Sequence, residues 1–264
     1  MAGELAERVV VIIGGTAGLG LSAAKACIAA GARVVALGRD DDAAGAARDT
    51  VGSRGLVLTG DATHPSTASA AIDAAFRTFG RFDALYHVAG GSGRRLGDGP
   101  LHEIADEGWR QTMDLNATSM FLSNRAAVRQ FLAQKSGGSV LNVTSVLAFS
   151  PAPHHFATHA YAAAKSAAIG FTRSCAAHYA SHGIRFNLIA PGLVDTPMAR
   201  RAAGDEQIRR YIATKQPLDG GRIGHPADLD AAVVFFLSDQ SRFVTGQILG
   251  VDGGWAVSEG QVAP

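Results

Sequence analysis

The chain has 264 residues, 47% of them apolar and 18% charged, with a formal net charge of +1. That composition is ample for a sizeable core and too apolar for disorder, and the length suits one large domain. Lys and Arg are spread along the chain without a basic block, which argues against nucleic acid; no apolar run near the N-terminus approaches the ~18 residues of a membrane span. Glu4 and Glu7 stand where a secretory signal would carry basic residues. Cys27 and Cys175 lie in Ala-rich stretches without metal or CxxC spacing, as expected of reduced core residues in a cytoplasmic protein.

In chain order, β-branched runs predict strands at 8–13, 33–37, 56–59, 84–88, 140–143, 185–189 and 248–251. Ala-rich stretches between them predict helices at 19–30, 43–51, 66–79, 109–134, 161–181 and 227–237. Strands that are apolar throughout imply burial on both faces, hence a parallel sheet under helices. The expectation is a doubly wound α/β fold of about seven strands, helices on both faces, one domain over 1–264. Such sheets bind ligands at the carboxyl ends of their strands.

The first strand stops at Gly14-Gly15-Thr16-Ala17-Gly18-Leu19-Gly20. Bare backbone between a strand and a helix lets a pyrophosphate reach the helix N-terminus, where free N–H groups and the dipole favour anions. The bland alternative is a tight turn with nothing bound. The second strand ends in Leu37-Gly38-Arg39, followed by Asp40, Asp41 and Asp42. The three carboxylates read as the cap and first turn of the next helix. After the third strand comes Gly60-Asp61-Ala62, whose carboxylate is either a ligand contact or a turn residue.

Tyr161 and Lys165 are four apart in an expected helix and so share one face. A phenol with a pKa near ~10 is a poor acid or base at neutral pH, and a nearby ammonium would bring it down. A half-buried ring beside a solvated amine is the bland alternative. Ser145 closes the strand segment Asn142-Val143-Thr144-Ser145, and Asn116 interrupts the apolar face of 109–134.

Taken together, the glycine turn, Ala89-Gly90, Asn116, Ser145, Tyr161-x-x-x-Lys165 and Pro191-Gly192 resemble the short-chain dehydrogenase/reductase family, from about residue 5 to about 256. Ile13 stands at the family's Thr position in T-G-x-x-x-G-x-G, and His87-Val88 replace its two Asn residues. The resemblance implies a Rossmann-like dinucleotide-binding domain and a nicotinamide-dependent oxidoreductase acting on a small carbonyl or alcohol. It implies Tyr161 as acid/base, Lys165 as its activator and ribose anchor, Ser145 as substrate orienter and Asn116 as support of a proton relay. It places the dinucleotide on Gly14, Thr16, Gly18, Leu19, Gly20, Asp61, Ala62, Ala89, Gly90, Pro191, Gly192, Val194 and Thr196. Gly38 at the carboxylate position, with Arg39 after it, implies NADP(H) over NAD(H), because a guanidinium pairs with a 2′-phosphate. A non-catalytic dinucleotide-binding sensor is the alternative.

The Ser145-to-Tyr161 gap is longer than the family's usual one, so 146–160 reads as a small insertion bordering the substrate. Phe149, His154, His155, Phe156 and His159 suggest an aromatic wall there. His155 and His159 have metal-ligand spacing on a helix, but no third ligand is evident, so no metal is expected. The polar, Arg-rich stretch 196–225 is expected to form a substrate lid. A homo-oligomer, tetramer or dimer, follows from the resemblance alone.

Overall fold

The computed structural model describes residues 3–260; the first and last residues of the expected 1–264 domain lie outside the described residues. Seven strands form one sheet: β1 (Val9–Ile13), β2 (Arg33–Gly38), β3 (Gly55–Thr59), β4 (Ala84–His87), β5 (Gly138–Val143), β6 (Ile184–Pro191) and β7 (Ile248–Val251). All pairings are parallel, in the order β3-β2-β1-β4-β5-β6-β7. The helices are α1 (Gly18–Ala29), α2 (Asp41–Val51), α3 (Thr67–Phe79), α4 (Asp106–Met113), α5 (Ser119–Gln134), α6 (His159–Tyr179), α7 (Arg200–Gly204), α8 (Glu206–Lys215) and α9 (Asp230–Leu237).

The sheet is covered on both faces, and period-two alternation shows how. Along β1, Val10 and Ile12 join the cluster with Ala23, Val233 and Phe236 under α1 and α9. Val9, Val11 and Ile13 enter the opposite cluster with Ile72, Phe131 and Phe186. All five β1 residues are buried, as an interior parallel strand requires. The edges depart from the expectation. β3 is half-buried except for exposed Thr59, and β7 is half-buried at its ends and exposed at Leu249 and Gly250, because each lacks a neighbour on one side.

The strand order reverses between β2 and β4 on either side of β1, which opens a crevice above the carboxyl ends of these strands. The turn out of β1 is pinned there. Gly14 N–H donates to the Leu37 carbonyl at 2.8 Å, and Val88 and Ala89 N–H donate to the Ile13 carbonyl at 2.9 and 2.8 Å. Gly14 has φ of 94°, and a Cβ on it would lie 2.6 Å from the Ala89 nitrogen. Only glycine fits that turn.

The expected 109–134 helix is interrupted. α4 and α5 are joined by one π turn, Asp114–Thr118. Asn116 Nδ2 donates to the Thr112 and Gly91 carbonyls, both at 2.9 Å, and its Oδ1 accepts from Gly91 N–H at 3.2 Å. A side chain that takes up a backbone carbonyl of its own helix disturbs the regular ladder and bends it. The final helix also starts later than expected, at Asp230, after a tight turn at Pro226–Leu229.

Gly38 closes β2 for a steric reason. A Cβ there would lie 1.8 Å from Thr16 Oγ1, because the buried Thr16 side chain packs on the strand end. Gly38→Ala is expected to destabilise the fold by about 1–3 kcal/mol, the usual range for overpacking. Thermal unfolding should show that loss shrinking in the Gly38→Ala, Thr16→Ala double variant.

Candidate active site

A cavity of about 350 Å³ opens above β1, β4, β5 and β6. Gly14, Gly18, Leu19 and Gly20 form one wall. Ala89 and Gly90, then Ser145, Tyr161 and Lys165, form the centre, and Pro191, Gly192, Val194 and Thr196 the far side. Thr16, Arg39, Asp61, Ala62 and Asn116 are not among its lining residues. Thr16 supports Gly38 from behind, and Asn116 supports Gly90: a Cβ on Gly90 would sit 2.7 Å from Asn116 Oδ1 and 3.4 Å from Lys165 Nζ.

Lys165 is buried, and its Nζ donates to the Val143 carbonyl at the end of β5, 2.9 Å away. Thr144 Oγ1 donates to the Lys165 carbonyl at 2.7 Å, tying α6 to β5. Burial alone pulls the Lys165 ammonium down to about 8. Tyr161 is half-buried, and Lys165 Nζ lies 5.6 Å from its ring centroid. The expected acidification of the phenol does not appear in this arrangement. Burial pushes Tyr161 up from its ordinary value, and the Ser145 hydroxyl works only partly against that. The ammonium is turned to a carbonyl, so desolvation outweighs its field at the phenol.

The glycine wall fits a dinucleotide. α1 begins at the cavity with Ala17 as its N-cap, which supplies no side-chain bond, and its first turn carries no acidic residue. Its leading N–H groups are therefore available to an anion. At the end of β2, Asp40 caps α2 by accepting from Ala43 N–H at 2.7 Å, with Asp41 and Asp42 in the first turn. Arg39 is exposed and enters no ion pair among the described residues. Asp61 is spent on a turn: Oδ1 accepts from Thr63 N–H and Oγ1, both at 2.8 Å, which holds the carboxyl below its usual range.

The aromatic wall expected from 146–160 is reduced to Phe156, which lines the cavity beside Trp255. Phe149 is exposed. His155 packs on Tyr211 with ring centroids 4.7 Å apart, and His159 Nδ1 meets the Gly99 carbonyl at 2.8 Å. Because α6 starts at His159, His155 is not on it, and the helical metal-ligand spacing is not realised.

A family model described as enoyl-(acyl carrier protein) reductase matches residues 14–256. The chain belongs to the short-chain dehydrogenase/reductase family. It is 37% identical over 259 residues to cis-4-hydroxycyclohexanecarboxylate dehydrogenase of Sinomonas cyclohexanicum, covering 97% of this chain and 99% of that protein. It is 34% identical over 253 residues to 2-dehydro-3-deoxy-D-gluconate 5-dehydrogenase of Escherichia coli strain K12, covering 96% of each. Among solved structures, a short-chain type dehydrogenase/reductase from Mycobacterium ulcerans matches with a TM-score of 0.85 at 30% identity, over 96% of this chain and 91% of that one. Levodione reductase matches with a TM-score of 0.87 at 27% identity, over 96% and 98%. As a short-chain dehydrogenase/reductase the chain is an NAD(P)-dependent oxidoreductase acting on alcohols and ketones.

Two supports of this short-chain dehydrogenase/reductase site, Asp98 and Gln216, had no sequence signal of their own, and a third, His87, was marked only as a departure from the family pattern. Asp98, buried between two glycines, accepts from Ala160 N–H at 3.0 Å and Tyr161 N–H at 2.9 Å, so it anchors the start of α6. Gln216 accepts from Leu193 N–H and donates to the Leu193 carbonyl at 3.2 Å, clamping the loop after β6. His87, at the family's first Asn position, is buried between Ser123 Oγ, 2.8 Å from Nδ1, and Ser119 Oγ, 3.4 Å from Nε2.

Burial, helped by the Lys165 charge, drives the His87 imidazole down to about 3. The unfolded chain takes up this proton near ~6.5, the folded one only near 3. Its share of stability is therefore complete above about 6.5 and is lost as pH falls towards 3. Acid thermal-unfolding series should show a steeper decline across that window for the native chain than for His87→Asn. Parallel curves would remove His87 from the account.

Proposed function

We propose that this chain is an NADP(H)-dependent oxidoreductase that interconverts a ketone or aldehyde with the corresponding alcohol, with Tyr161 as acid/base. The observation that carries this reading is the convergence of Ser145, Tyr161 and Lys165 on one cavity whose opposite wall is the bare Gly14–Gly20 backbone. When bound, the nicotinamide supplies hydride to the carbonyl carbon or accepts it from the carbinol. The protein's part is position and proton. Ser145 hydrogen-bonds the substrate oxygen and fixes it beside Tyr161. In reduction the Tyr161 hydroxyl donates its proton to that oxygen as it becomes an alkoxide. A phenol raised by burial stays protonated at neutral pH, which suits this direction. Lys165, its Nζ 5.6 Å from the centre of the Tyr161 ring, is a positive group beside the developing charge. The Val143 carbonyl, which accepts from its Nζ, keeps it there.

NADP(H) is favoured over NAD(H) by the end of β2. Gly38 leaves no carboxylate to meet a ribose hydroxyl, and Thr16 occupies the space such a side chain would need. The exposed Arg39 is free to pair with a 2′-phosphate, while Asp40 is committed to its helix. The same reading carries an assembly of copies: Leu249 on edge strand β7 is exposed, as are Phe243 and Val257 in the flanking segments of the chain.

Arg39→Ala is expected to weaken NADPH binding about tenfold or more, the loss of one charge-assisted pair, and to leave NADH binding nearly unchanged. Fluorescence titration with the two reduced dinucleotides measures both. Tyr161→Phe is expected to keep NADPH affinity and to lower turnover of ketones by about 10²-fold or more, the usual range for losing a positioned acid. Full turnover in that variant would remove Tyr161 from the chemistry. Binding of NADPH by the native chain without reduction of any ketone in a broad panel would instead support a sensor.

A further inference from the structure

The cavity carries more positive charge than hydride transfer to a simple ketone requires. Its lining includes three cationic side chains, Arg94, Lys165 and Arg201, and no Asp or Glu. Lys165 is accounted for above. The other two come from separate segments. Arg94 is in the turn Arg94–Leu96 after β4, and Arg201 is on α7 in the segment after β6. Arg94 Nη2 donates to the His155 carbonyl at 3.3 Å, which fixes its reach.

Neither guanidinium has a carboxylate partner within ion-pair distance among the described residues. Asp98 is the acidic group that acts on Arg94, and both its oxygens are held by the N–H groups opening α6. Burial and the neighbouring Arg201 charge push Arg94 down from its ordinary range, against the pull of Asp98. Arg94 is half-buried and Arg201 exposed, and two like charges facing one cavity repel unless an anion joins them. Apolar side chains, among them Leu147, Phe156, Met198 and Trp255, line the same cavity.

We propose that Arg94 and Arg201 form an anion subsite and that the substrate of this enzyme is a keto or hydroxy acid. The molecule that fits has an apolar body, a carboxylate at the arginine end and the reacting carbonyl or carbinol at Ser145 and Tyr161. A guanidinium fork matches a carboxylate with two parallel hydrogen bonds, and an apolar wall holds the body without competing for it. The assignment of the reacting end rests on the oxidoreductase reading above, while the anion subsite stands on the two arginines alone.

The test uses 4-oxocyclohexanecarboxylate, its methyl ester and 4-oxopentanoate as probes, with calorimetric binding and NADPH oxidation measured side by side. Expected is about tenfold or greater preference for an acid over the ester in both affinity and kcat/KM, one decade being a single charge-assisted contact. That preference should shrink with added salt. Arg94→Met and Arg201→Met should each abolish it while NADPH affinity stays at the native value. Arg94→Lys, which keeps charge without the fork, should retain part of it and guards against misfolding of the Met variant. The proposal is overturned if the ester binds as well as the acid, or if neither keto acid binds. It is equally overturned if both Met variants weaken NADPH as much as the acid, since the arginines would then serve the dinucleotide phosphates. Acid-selective binding without NADPH oxidation by any probe would uphold the subsite and sink the NADP(H)-dependent reduction proposed above.

Discussion

Burying the Lys165 ammonium at the end of β5 is the constraint around which this site is arranged. A buried charge needs compensation, and here it receives a single carbonyl, that of Val143, rather than a carboxylate. The consequence is a lysine with spare donors and a weakened hold on its proton. A salt bridge would have stabilised it more and left it less able to serve a hydroxyl brought to its side. Everything close to it keeps the charge where it is. The Thr144 hydroxyl holds the lysine's own carbonyl, and Gly90 admits the Asn116 amide to the same corner.

Behind that corner the interior is polar but neutral. The Asn124 and Asn142 amides bond reciprocally, 2.9 Å in each direction, and Asn142 also donates to Thr172 Oγ1 at 3.2 Å. His87 completes the seam with two serines of α5. These groups tie β4, β5, α5 and α6 together by directional bonds in a region where apolar packing alone would allow sliding. The imidazole stays uncharged chiefly because it is buried, and the nearby Lys165 charge adds to that.

How much of this was legible depended on the range over which each residue acts. The seven strands could be read because each is an apolar run of β-branched residues bounded by turn residues, a purely local pattern. Ser145, Tyr161 and Lys165 could be gathered because strand ends and helical spacing place them without further information. The π turn at Asn116 was not legible: a polar residue interrupting the apolar face of 109–134 marks a position, but nothing local says that its amide takes up the Thr112 carbonyl. The partners of His87 stand 32 and 36 residues away, and Asp98 meets α6 across 62 and 63 residues. No local rule connects residues so far apart. The His155 and His159 spacing had meaning only on a helix, and α6 begins too late to include both.

Trp255 is the last large residue before the chain leaves the site. Its ring is buried with Phe156 and Tyr211 around it, at centroid distances of 5.7 and 6.1 Å, and its Nε1 donates to the Ser150 carbonyl at 3.1 Å. It therefore joins the post-β5 loop, α8 and the C-terminal turn in one contact. The chain has two tryptophans, and the other, Trp109, is exposed on α4. The two indoles differ so much in surroundings that their light emission separates. The water-exposed one emits at longer wavelength and the sequestered one at shorter. Of the two only Trp255 lines the cavity, so its emission is the one that follows what enters there.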